Sequence, residues 1–185
     1  MTSASQDLLA LLLEVQALDR IPRTGYAMRG VTDPESVSEH SWQLTFLVWS
    51  LGQKIEGLDL ARAVELALVH DVAEVRIGDL PRVSSHYFPA GAKRSAETAA
   101  AAELLAPTGS RGLDAFNEFE AGATLEARFV GVCDQLQLLL KVATYEAQGN
   151  GNLIDFWERH AEFDDGGFAG VRELFDALAA HRHSA

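Results

Sequence analysis

The chain has 185 residues, 48% hydrophobic and 23% charged, with a formal net charge of −12. This suits one globular domain with a sizeable core, and the acidic balance argues against nucleic-acid polymers and anionic membranes as partners. A lone cysteine, Cys133, excludes an intramolecular disulfide and a cysteine-based zinc site.

Residues 1–7 lack the basic start of a signal peptide, and no apolar run reaches membrane-spanning length, so a cytoplasmic protein is expected. Leu8, Leu11, Leu12, Val15 and Leu18 recur at helical spacing behind the capping candidates Thr2, Ser3, Ser5 and Asp7. The pattern predicts a first helix over 6–19. Pro22, Gly25 and Gly30 then punctuate a loop over 20–30. Arg20, Arg23, Arg29 and Tyr26 give that loop either an anion-binding or a plainly solvated basic composition.

Asp33 or Ser36 caps the next helix, whose acidic first turn suits the helix dipole. His40 stands near its start. Trp42, Phe46 and Trp49 follow at i, i+4, i+7 with Leu44, Leu47 and Val48 between them. This reads as a central helix, apolar nearly all round, with Trp42 and Trp49 as core anchors.

The stretch 60–75 reads as one helix, and its segment 61–74 holds no Gly or Pro. It carries His70 and Asp71 side by side, with Glu74 one turn beyond His70 and on its face. A charged pair closing a buried run is costly unless compensated, and a divalent metal compensates it, since imidazole and carboxylate are ordinary ligands. Glu74 then stands beside a water on that ion without being a ligand.

Gly78-Asp79-Leu80-Pro81 breaks the helix, and 82–91 reads as a surface loop with His86, Tyr87 and Phe88. Helices are predicted over 93–105 and, weakly, over 112–121. The last strong helix covers 124–146, with Thr124 as its cap and Asp134 in the middle of an apolar set that includes Phe129, Val130, Cys133 and Leu136. Residues 150–185 read as peripheral helices interrupted at Gly166-Gly167. His86, His160, His181 and His183 receive no ligand role. With no convincing strand, the expectation is a single all-α domain over 1–185.

His40, His70, Asp71 and Asp134 thus offer two imidazoles and two carboxylates, a donor set for one hard or borderline divalent cation such as Mn, Co, Mg, Fe or Zn. The order His, His-Asp, Asp on consecutive helices resembles the HD-domain metal-dependent phosphohydrolases. The phrases Arg20-Ile-Pro-Arg-Thr-Gly-Tyr26, Glu35-Ser-Val-Ser-Glu-His40, Ala67-Leu-Val-His-Asp71, Gly78-Asp-Leu-Pro81 and Glu126-Ala-Arg-Phe-Val-Gly-Val-Cys-Asp134 resemble the 5′-deoxynucleotidase branch over about 13–149.

That resemblance implies an HD-domain bundle, metal ligation by His40, His70, Asp71 and Asp134, and a water-orienting role for Glu74. It further implies acid/base help from Asp79 at the leaving group, phosphate contact from Arg23, and a sugar contact from Tyr26, where relatives usually carry Trp. The implied reaction is hydrolysis of deoxyribonucleoside 5′-monophosphates by a homodimer. Two alternatives stand beside it: another nucleotide as substrate, or a regulatory module that binds without turnover.

Overall fold

The computed structural model of the chain describes residues 3–184. Among these there is no strand, and an isolated antiparallel bridge pairs Pro22 with Ser36. Helices carry the fold, as expected. They are α1 (Ser3–Glu14), the single turn α2 (Thr24–Ala27), α3 (Val37–Gly52), α4 (Leu60–Val69), the short α5 (Glu74–Ile77), α6 (Ala92–Leu104), α7 (Ser110–Ala121), α8 (Leu125–Ala147), α9 (Ile154–Arg159) and α10 (Ala169–Ser184).

α3, α4 and α8 pack against one another at the centre. Leu44 and Val48 of α3, Ala63, Leu66 and Ala67 of α4, and Phe129, Val130, Cys133 and Leu136 of α8 are all completely buried there. A second cluster under α1 and α6 joins Leu11, Ala73, Ala101, Leu104 and Phe116. No described helix is long and apolar enough to cross a membrane.

Capping sets two boundaries that matter for the site. The Ser36 hydroxyl accepts from the Glu39 amide while the Glu39 carboxylate accepts from the Ser36 amide, a reciprocal cap that starts α3 three residues before His40. Thr124 caps α8 through the Ala127 amide.

Four expectations give way. The first helix stops at Glu14 and tightens into a 3₁₀ stretch, Val15–Arg20; of its capping candidates, Thr2 lies outside the described residues, as does the side chain of the tail residue His183. The continuous helix over 60–75 is instead two: α4 ends at Val69, and i→i−3 bonds from Val72 to Val69 (3.1 Å) and Glu74 to Asp71 (3.0 Å) wind the chain more tightly through His70–Ala73. His70 and Glu74 are therefore not stacked on one regular α-helical face.

Trp42 and Trp49 are not core anchors: they are 67% and 51% exposed, and with Phe46 they form a ridge of successive ring contacts on the outer face of α3. Nor is the C-terminal segment peripheral, because Leu153, Phe156, Trp157, Phe168 and Val171 belong to the central core cluster.

Candidate metal centre and active site

Three elements converge where the start of α3 and the end of α4 meet the middle of α8. The reciprocal cap starts α3 so that His40 is completely buried, the tightened turn after α4 presents His70 and Asp71, and mid-α8 presents Asp134. His40 Nε2 lies 3.1 Å from His70 Nε2, 3.1 Å from Asp134 Oδ1 and 3.6 Å from Asp71 Oδ2. Asp71 Oδ2 is in turn 3.1 Å from His70 Nε2. One donor atom each from His40, His70 and Asp71 falls within 4.8 Å of the others, and Asp134 joins this group through His40.

The opposite ring nitrogens fix the tautomers. His70 Nδ1 lies 2.8 Å from the Ala67 carbonyl, which can only accept, so Nδ1 carries the hydrogen. The Gln137 amide nitrogen donates to the Glu35 carboxylate at 3.2 Å, which turns its oxygen toward His40 Nδ1 at 2.7 Å, and that nitrogen donates as well. Both Nε2 atoms then present lone pairs to each other across 3.1 Å, beside two carboxylates. The acceptors of His40, His70 and Asp71 cluster closely enough to fit a divalent cation, Asp134 adjoins them through His40, and the buried Glu74 Oε2, without a hydrogen-bond partner among the described residues, adds a further oxygen on the same cavity wall.

The field of the pocket carries the same message. Burial alone would push the His70 imidazole down, yet the adjoining Asp71 carboxylate overrides it and raises its pKa. Asp71 resists the upward pull of its own burial and is held far below the carboxylate range by His70 and Arg23. Glu74 is pushed up to about 9 by burial and by Asp71 and Asp79.

The loop before α3 supplies a cation. Arg23 Nη1 is 2.7 Å from Asp71 Oδ2 and 3.8 Å from Asp79 Oδ1. A two-rung contact holds the loop, with the Arg23 amide donating to Glu35 O at 2.8 Å and the Val37 amide to Ile21 O at 2.9 Å. Gly78 ends α5 with φ +75°, a conformation that L side chains rarely adopt. The chain thereby turns back, so that Asp79 accepts from the Thr24 amide and its own carbonyl accepts from the Thr24 hydroxyl at 2.9 Å.

Tyr26 lines the same cavity but is only 3% exposed, with its hydroxyl donated to the Leu138 carbonyl at 3.2 Å. Of the remaining loop arginines, Arg29 reaches the cavity and Arg20 does not line it.

Arg23, Tyr26, Asp71, Glu74, Asp79 and Asp134 border a cavity of about 560 Å³, whereas the buried His40 and His70 do not line it. Its walls include residues that sequence reasoning did not single out, Lys93 of α6 and Phe156 and Arg159 of α9, together with His160, which was given no ligand role. Gln137 and Glu35, which support His40 from behind, were also missed. Gln137 was accessible in principle, since it lies three residues beyond Asp134 and so on the same side of α8. The α9 residues carry no sequence signal, because only the tertiary path of the tail brings them to the site.

The HD domain family model matches residues 15–165. The 5′-deoxynucleotidase HDDC2 of Bos taurus is 36% identical over 167 residues, covering 85% of this chain and 78% of that protein. The protein of the same name from Xenopus laevis is 33% identical, covering 100% and 92%. Among solved structures, a conserved hypothetical protein from Pyrococcus furiosus superposes with a TM-score of 0.81 at 29% identity, over 93% of this chain and 99% of that one. A match that runs from the end of the first helix through α9, and so includes every residue gathered around the acceptor cluster, means that the chain belongs to the HD domain family.

Proposed function

We propose that the protein is a metal-dependent 5′-deoxynucleotidase that hydrolyses deoxyribonucleoside 5′-monophosphates to deoxynucleoside and phosphate. The observation that carries this reading is the cluster of four acceptors, His40, His70, Asp71 and Asp134, with the Arg23 guanidinium against one of them. The named activity of the HDDC2 relatives supplies the substrate class.

His40, His70, Asp71 and Asp134 would hold a divalent cation, which would supply Lewis acidity toward the phosphoryl group and a water made nucleophilic near neutral pH. Arg23 spends one donor on Asp71 and offers the rest of its fork to phosphate oxygens. Glu74 accepts a proton from the attacking water as the new P–O bond forms. The 5′ oxygen leaves with a proton from Asp79 or solvent as the old P–O bond breaks. Positioning and charge complementarity carry most of the rate. Tyr26 borders the sugar with its ring, its hydroxyl being engaged elsewhere.

One domain over 1–185, a cytoplasmic location and a homodimer belong to the same reading. The central core cluster, which runs from Tyr26 to Leu178, supports the first. The single buried Cys133 fits a reducing compartment. The exposed ridge of Trp42, Phe46 and Trp49 supports the homodimer as an apolar surface suited to a second copy.

The test is phosphate release by chelator-stripped protein with Mn, Co, Mg or Zn added back, on dAMP, AMP, dGTP and cyclic AMP. Metal-dependent release from the deoxymonophosphate is expected. Release from dGTP or cyclic AMP alone assigns a different nucleotide, and binding with no release anywhere makes the protein a regulatory module.

A further inference from the structure

The cavity, at about 560 Å³, is larger than a phosphate alone requires. Arg23, Asp71 and Glu74 occupy one part of its wall, and Phe156, Arg159 and His160 another. With a nucleotide's phosphate at the acceptor cluster, its base must lie along the remaining wall.

That wall is firmly docked. Both Nε and Nη2 of Arg29 lie 3.1 Å from Asp155 Oδ2, and the Asn152 amide donates to Arg29 O at 2.8 Å, so α9 is fastened to the loop that carries Arg23. Trp157 Nε1 donates to Glu146 Oε2 at 2.9 Å, which fastens α9 to α8. Phe156 is buried, with its ring centroid 5.4 Å from that of Tyr26. A Cβ on Gly25 would sit 3.7 Å from Phe156 Cζ, so the ring backs the loop directly.

On this ring rests Arg159. Its Cζ is 4.7 Å from the Phe156 centroid, and its Nε donates to the Asp155 carbonyl at 2.9 Å, which fixes the guanidinium plane. Partial burial, then the like charges of Arg29 and Arg82, pull its pKa below the usual arginine value. A guanidinium with one face on an aromatic ring and an exposed position at a cavity mouth is a flat, base-indifferent platform.

We infer that Arg159, seated on Phe156, is the surface on which the purine or pyrimidine base of the substrate stacks. This placement of the base rests on the nucleotidase reading for the position of the phosphate. Stacking suits any base, since every base has a π-face.

The test uses two part-substrates titrated into Mn-loaded full-length protein: 2′-deoxyadenosine, which has a base and no phosphate, and deoxyribose 5-phosphate, which has the reverse. Arg159→Ala should weaken 2′-deoxyadenosine binding about tenfold and shift the ratio of the two affinities correspondingly. Arg159→Lys keeps the charge and loses the plane, so it should weaken 2′-deoxyadenosine as Arg159→Ala does. An unchanged ratio in Arg159→Ala, full recovery in Arg159→Lys, or no binding of 2′-deoxyadenosine by the wild type overturns the stack. A wild type that binds 2′-deoxyadenosine through Arg159 yet releases no phosphate from dAMP upholds the stack and overturns the nucleotidase reading instead.

Discussion

His40 Nδ1 stands 2.7 Å from the side-chain oxygen of Gln137, and that contact decides which nitrogen of His40 faces the acceptor cluster. Gln137 is itself oriented by the buried Glu35 carboxylate, which Lys141 approaches at 3.5 Å. The result is a chain of buried groups, each fixing the next, behind one imidazole. Partners of this kind set ligand tautomer and orientation.

Gln137→Leu therefore keeps the volume of the side chain and removes the constraint. Affinity for Mn or Zn should fall about 10- to 100-fold, read by competition with a chromophoric chelator, while far-UV circular dichroism stays that of the wild type. Unaltered metal affinity would remove Gln137 from this role.

Glu74→Gln separates holding from chemistry. The variant should retain metal by mass spectrometry and lose about 10²- to 10⁴-fold in kcat, the range for a positioned proton acceptor. An unchanged kcat would show that another group takes the proton.

Glu74 also predicts a proton balance. Burial, then Asp71 and Asp79, hold its pKa near 9, so at pH 8 it is mostly protonated in chelator-stripped protein. A cation nearby favours the carboxylate, so loading metal at pH 8 should expel close to one proton through this group. Calorimetry in buffers of differing ionisation enthalpy measures the release. Glu74→Gln should lower it by about one proton, and an identical release in the variant would place the titrating group elsewhere.

Removing the metal should cost stability. At a free concentration 100 times its Kd, a ligand that binds only the folded state contributes about 2.7 kcal/mol. For a domain of this size that corresponds to a fall of about 5–10 °C in Tm on chelation. His70→Ala or Asp71→Ala should abolish both the chelator-sensitive shift and the activity; normal turnover in either variant would displace the site.

The aromatic ridge on α3 gives a prediction independent of chemistry. Replacing Trp42 and Trp49 by Glu together should leave helical content intact, since both side chains are more than half exposed. In sedimentation analysis the variant should run as a monomer where the wild type runs as a dimer. A wild-type monomer would leave the ridge with a different role.

How far the sequence carries can be judged at particular residues. His70 and Asp71 stand out because charged groups at the end of a Leu-Ala run demand compensation, and the structure brings them within reach of His40, which in turn reaches Asp134. The Ser36–Glu39 and Thr124 caps are local in sequence, so they are legible there. The break after Val69 is not, because no Gly or Pro marks it and the tightening arises within an Ala- and Val-rich run.

Trp42 and Trp49 mislead for a different reason. Periodicity reports that a face is apolar but not whether this same chain covers it. The α9 wall was unreadable because nothing in residues 153–160 indicates where in space the chain will lay them.

The paired contact between residues 21–23 and 35–37 has a consequence for how a ligand is met. The stretch bearing Arg23 is anchored to the start of the helix bearing His40, and again to Asp79 through Thr24. Arg23 is thus held in place by backbone as well as by its own ion pairs. Under the proposed function, a small anion entering the cavity would meet a grip whose entropy of assembly was already lost when the chain folded, and its binding energy need not be diverted to ordering that arm.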